Sequence, residues 1–300
     1  MIPAAFEYFS PKTLLEAVAL LQQYGDEAKI LSGGHSLVPL MKLRFVSPPY
    51  IVDINRIPGL EYIRESDGHL TIGGLTREGD LDTSDLIQSK YPILSDAAAV
   101  IADPLVRNRA TVGGNLAHGD PANDHPAVML ALGAEVVATG PNGSRKISMK
   151  DLIIGPLTTT LRPNEILTEI RIPTPPSHSG GAYLKIKRKI GDFAAAAVAV
   201  QLTLGKGNLC EQIGIGLTNV GPTPIKAVRA EQRLRGKVID DEAMQQAGQI
   251  AADESQPSAD LRGPVEYKRA LVKVLTVRAL KKALQRATGG KSECQNRKSK

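Results

Sequence analysis

Three glycine pairs sit at the ends of apolar, strand-like runs: Gly33-Gly34, Gly73-Gly74 and Gly113-Gly114. The first is flanked by Ser32, His35 and Ser36, the third by Thr111 and Asn115, all small or compact hydrogen-bonding residues. Glycine lets the main chain approach a ligand closely, and successive N–H groups can then converge on one anionic oxygen. The first bend joins a short apolar strand, Lys29-Ile30-Leu31, to an amphipathic segment from Leu37 to Leu43. Strand, glycine turn and helix start form an arrangement that can cradle an anion. Two such bends are expected to grip the two halves of a pyrophosphate. Gly73-Gly74, which leads into Leu75-Thr76-Arg77-Glu78, reads foremost as a plain turn, with lining of the same cleft as its other reading.

Other chemistries fall short. No G-x-G-x-x-G opens a helix after the first strand, and Gly290-Lys291-Ser292 fails as a P-loop end because residue 285 is Gln285. The stretch from Ala117 to Pro126 carries His118, Asp120, Asp124 and His125, but Pro121 denies it a helical i, i+4 ligand pair. No metal site is expected there, and Asp124 reads instead as a carboxylate beside a cofactor's ribose hydroxyls. There is no G-x-S-x-G elbow, and neither cysteine lies near a histidine in the sequence. No residue is assigned a catalytic acid or base role.

The elements that must position these residues follow from periodicity. Ser10 reads as an N-cap with Pro11 at the first helical position, and Leu14, Leu15, Val18, Leu21 and Gln22 carry a helix that Gly25 stops. Strands are expected at 50–54, 70–72, 134–139, 145–147 and 165–172, with helix over 77–102 and a second helical piece opened by Pro92. The Pro-, Ser- and Gly-rich run 173–181 marks a domain boundary; beyond it lie strands at 194–204 and 211–217, then helices from about 225 to 287.

Composition bounds the class. Three hundred residues with 42% apolar and 23% charged side chains suit one large or two ordinary globular domains. Aromatics are 4% with no tryptophan, so the core must be aliphatic. Cys210 and Cys294 cannot between them hold an iron–sulfur cluster or a structural zinc, and two thiols suit a reducing, cytoplasmic compartment. No export signal or transmembrane segment is expected. The net charge of +6 resides wholly in residues 281–300, the other 280 balancing at 30 bases and 30 acids, so a nucleic-acid partner is not expected.

Taken in order, Ser32-Gly33-Gly34-His35-Ser36-Leu37 with Met41-Lys42, Arg107-Asn108-Arg109-Ala110-Thr111-Val112-Gly113-Gly114-Asn115, and Lys187-Arg188-Lys189-Ile190-Gly191-Asp192-Phe193-Ala194 resemble the FAD-binding medium subunit of molybdenum hydroxylases. The match is to the carbon monoxide dehydrogenase type, with xanthine dehydrogenase more distant, and runs from Phe6 to about residue 286. The resemblance implies an α+β chain: a two-lobed FAD-binding domain of the vanillyl-alcohol-oxidase (PCMH) type over 1–175, its lobes meeting near residue 55. A smaller sheet-plus-helices C-terminal domain over 182–287 follows, then a basic tail, 288–300, expected to be disordered. Carried over by position, Leu31, Ser32, Gly33, Gly34, His35, Ser36 and Leu37, with Thr111, Val112, Gly113, Gly114 and Asn115, would hold the diphosphate and ribityl region. Asp124 would contact the cofactor, Leu167 line its cleft and Phe193 cover the isoalloxazine, with Lys185, or its neighbour Lys187, a further contact. His35 would hydrogen-bond the flavin without a covalent link.

The same resemblance implies an electron-transfer role. Electrons would come from a molybdenum cofactor on a large subunit through two [2Fe–2S] clusters on a small subunit, pass through this FAD and leave to an external acceptor. The assembly would be a dimer of heterotrimers. A stand-alone flavin oxidoreductase of the same superfold is the alternative.

Overall fold

The computed structural model describes residues 2–289; Met1 and most of the expected basic tail, 290–300 with Cys294, lie outside them. The described residues form two compact units, the first comprising residues 2–83, 102–120 and 134–173, the second 84–101, 121–133 and 174–289. The second unit therefore draws in two stretches that precede residue 175 in sequence.

The first unit opens on a helix, Leu14–Tyr24, whose N-cap is Thr13 rather than the expected Ser10: the Glu16 N–H donates to Thr13 Oγ1 at 3.2 Å. Gly25 ends it at φ 53°, as expected. Ala17, Val18 and Leu21 pack with Ala28, Val52, Ile54, Leu75 and Ile166 into one apolar core. Beside it a three-stranded parallel sheet runs in the order Glu7–Phe9, Tyr50–Asp53, Ala28–Leu31. A second, antiparallel sheet has the order Ile63–Ser66, His69–Gly73, Ile166–Pro173, Glu135–Gly140, Gly143–Ser148. Its central strand bulges between Leu167 and Glu169, which turns the Thr168 carbonyl to accept the Gly74 N–H at 2.8 Å.

The second unit is a four-stranded antiparallel meander, Ser179–Ile186, Ala196–Leu204, Cys210–Thr218 and Ile225–Lys226. Side chains alternate across it. On one face, glycines admit the backbones of helices: a Cβ on Gly216 would fall 2.0 Å from the Ala127 carbonyl and one on Gly214 2.0 Å from that of Ala131, both in the helix Asp124–Leu132. On the other, Val198, Val200, Leu202, Ile213 and Ile215 join a core with Val272, Leu275, Leu280 and Ala283 of the 23-residue helix Val265–Ala287. Small residues are what let an aromatic-poor chain pack this closely.

Two expectations shift. The helical stretch 77–102 is three helices, Glu78–Thr83, Asp85–Lys90 and Pro92–Ala98, not two. The expected linker 173–181 shrinks to 174–178, because strands claim both ends.

Candidate functional site

The strand Ala28–Leu31 ends where the Leu31 carbonyl accepts the Ile54 N–H at 3.0 Å, and the chain then bends through Ser32 to Gly34, the latter at φ 78°. A Cβ on Gly33 would lie 2.6 Å from the Arg109 carbonyl oxygen and 2.8 Å from Ala110 Cα, so only glycine fits. Ser32 Oγ and Thr111 Oγ1 share a hydrogen bond of 2.7 Å across 79 residues of sequence. The two bends singled out by their residue types therefore meet in space.

The Gly73-Gly74 pair, read foremost as a turn, belongs to the same stack. A Cβ on Gly113 would lie 2.5 Å from the Gly74 carbonyl oxygen, and one on Gly74 would lie 2.3 Å from that of Leu167. Gly73 ends its strand as its sequence implies, whereas Gly113-Gly114 lies not at a strand end but in the first turn of the helix Val112–His118, capped by Thr111. Leu167 itself is buried, and its main-chain carbonyl meets the glycine stack.

Amide accounting separates the two bends. In the second, Val112 donates to the Thr76 carbonyl at 3.0 Å, Gly113 to that of Gly74 at 3.2 Å, Gly114 to Thr111 Oγ1 at 3.2 Å and Asn115 to the Thr111 carbonyl at 2.9 Å. In the first, the N–H groups of Gly33, Gly34, His35 and Ser36 have no acceptor among the described residues, and His35 and Ser36 are exposed. The first bend offers donors to a ligand; the second is the seat on which it rests. Unpaired amides on a backbone held by glycine fit an anion, and a diphosphate supplies the acceptors they lack. Nearby, burial opposes ionisation of Asp53, but bonds from Tyr8 and Asn55 and the charge of Arg109 hold its carboxyl below the usual range.

Asp124, Lys185 and Phe193 belong to the second unit. Asp124 begins the helix Asp124–Leu132 and is 4% exposed. Its Oδ1 accepts the Tyr183 hydroxyl and its Oδ2 the Lys185 ammonium at 2.8 Å, while Lys187 reaches the Val100 carbonyl at 3.3 Å. Between the two lysines, Lys185 is thus the one bound to Asp124. Burial first, and then the Asp124 charge, push the Tyr183 hydroxyl well above its ordinary pKa. Phe193 is 44% exposed, with the Arg262 guanidinium 5.7 Å from its ring centre.

Comparison with known proteins gives a consistent answer. A model of the FAD binding domain in molybdopterin dehydrogenase matches residues 4–175, and one of the CO dehydrogenase flavoprotein C-terminal domain matches residues 181–283. The chain is 47% identical over 286 residues to the carbon monoxide dehydrogenase medium chain of Hydrogenophaga pseudoflava, covering 95% of this chain and 99% of that one. It is 45% identical to the corresponding medium chain of Afipia carboxidovorans, over 96% of this chain and 99% of the relative. The solved structure of carbon monoxide dehydrogenase from Hydrogenophaga pseudoflava superposes with a TM-score of 0.93 at 48% identity, over 95% of this chain and 99% of that chain.

Proposed function

This chain belongs to the family of FAD-binding medium subunits of molybdenum-containing dehydrogenases, and we propose that its bend at 32–37, seated on residues 109–115, holds the FAD diphosphate. The close approach of Gly33 to the Arg109 carbonyl, with the Ser32–Thr111 bond beside it, is the observation that carries this reading. Gly33, Gly34, His35 and Ser36 donate their amides, Leu31 and Leu37 flank them, and Thr111 to Asn115 fix the seat. Bound FAD supplies reversible electron acceptance, and the chain supplies orientation and exclusion of water.

Asp124 enters the reading already oriented by Tyr183 and Lys185, and a carboxylate retains acceptor sites for a cofactor hydroxyl. Phe193 offers a half-exposed ring, suited to lie against a flavin. His35 hydrogen-bonds the cofactor without a covalent link.

The reading extends to partners. A molybdopterin-binding large subunit and a [2Fe–2S] small subunit would complete a dimer of three-chain units that delivers electrons to an external acceptor. Cysteine chemistry supports the division: Cys210 is buried, and burial pushes its thiol up to about 11, far from the thiolate a cluster needs. The relatives' names describe medium chains of larger dehydrogenases, which favours this over a stand-alone oxidoreductase. No described helix is long and apolar enough to cross a membrane, and a cytoplasmic location fits the two-thiol composition.

The test is Gly33→Ala in the full chain. The wild-type chain should take up FAD one to one and turn yellow; the variant, whose added methyl meets a main-chain carbonyl at 2.6 Å, should bind FAD more weakly and release it faster while keeping its circular dichroism. Acid denaturation of the wild-type holoprotein should free the flavin. Unchanged FAD affinity in Gly33→Ala would refute the assignment.

A further inference from the structure

Arg77 follows the glycine pair that reads foremost as a plain turn, and its segment pairs antiparallel with Thr111, Glu78 N–H donating to the Ala110 carbonyl at 3.0 Å. Its guanidinium reaches the second bend directly and the first through Asn55. Nη1 donates to the Arg109 carbonyl at 2.7 Å, the oxygen against which Gly33 is packed. Nη2 donates to Asn55 Oδ1 at 2.8 Å, and Asn55 Nδ2 in turn donates to the Ser32 carbonyl at 2.9 Å. Asn55 is itself fixed by Asp53, whose Oδ1 accepts its N–H at 2.9 Å and its Nδ2 at 2.6 Å. Both acceptors of Arg77 are neutral oxygens, so bond direction rather than charge pairing fixes the side chain. A planar fork can serve two acceptors in set directions, which a lysine ammonium cannot do.

We propose that Arg77 is a positioning residue for the FAD diphosphate: it locks the Arg109 carbonyl directly and the Ser32 carbonyl through Asn55, and so holds the amides of residues 33–36 turned toward the ligand. This rests on the reading that those amides bind the diphosphate. Arg77 touches no cofactor atom in this role; it acts through Asn55 and the two carbonyls.

The experiment compares wild type, Arg77→Lys, Asn55→Ala and the double variant as full-length holoproteins. FAD release is followed by the rise in flavin fluorescence on dilution. Each single variant should release FAD about 10- to 100-fold faster, the factor that one lost charge-assisted hydrogen bond corresponds to. The double variant should be faster than either single but fall short of the product of the two, because they share the Arg77–Asn55 bond while the Arg109 and Ser32 bonds are separate. The phosphorus resonances of bound FAD should shift in Arg77→Lys while the flavin absorption band keeps its shape, a signature that general loosening of the fold would not give. Wild-type release from Arg77→Lys, or single effects that multiply in the double variant, would overturn the proposal. Gly33→Ala separates the two readings: if it too releases FAD at the wild-type rate, the diphosphate assignment fails; if it alone is fast, only the role of Arg77 fails.

Discussion

At the scale of single residues, the chain contains two kinds of polar group. Amides of residues 33–36 stand without an acceptor among the described residues, whereas the Asp124 carboxylate and Lys185 ammonium are closed on each other, their side chains 5% and 1% exposed. Removing one member of such a buried pair strands the other charge. Lys185→Met should therefore lower unfolding free energy by about 3–5 kcal/mol in a urea titration, and adding Asp124→Asn should recover part of the loss. What was legible here followed residue type: glycine beside serine and threonine announces a close backbone approach, and the segments at 33 and 113 do meet. Arg77 and Asn55 were not legible, because a side chain that bonds a main-chain carbonyl 32 residues away leaves no local pattern.

Among elements, strands with clear alternation or apolar runs were readable, and those from Tyr50 to Asp53, Ile166 to Pro173 and Ala196 to Leu204 fall where periodicity places them. The helix Asp124–Leu132 was not, since every one of its residues is buried and it has no polar face from which a period could be read. It is positioned by what the facing strand lacks. Gly214 and Gly216 let the helix backbone lie directly on the sheet. Gly216→Ala should push it away and cost about 1–3 kcal/mol, the usual penalty of overpacking, seen as a lower urea midpoint with the denaturant slope unchanged.

For the molecule as a whole, sequence order and spatial order part company. A Pro- and Gly-rich stretch near residue 175 announces a boundary, and the family models also divide there. Yet stretches 84–101 and 121–133 belong to the unit built on the later sheet, because glycines such as Gly181, whose Cβ would lie 3.0 Å from that of Ile93, open its face to them. No local pattern can announce such long-range membership. Residues 1–175 expressed alone should carry three orphaned helices and precipitate, whereas wild-type solubility of that fragment would contradict the division. A protease that cuts the intact chain within 174–178 has a different outcome: the halves should still elute together from a sizing column. The nick severs a covalent bond but leaves two N-terminal stretches packed on one face of the C-terminal sheet, so the protein is, in effect, stapled across its own scission point.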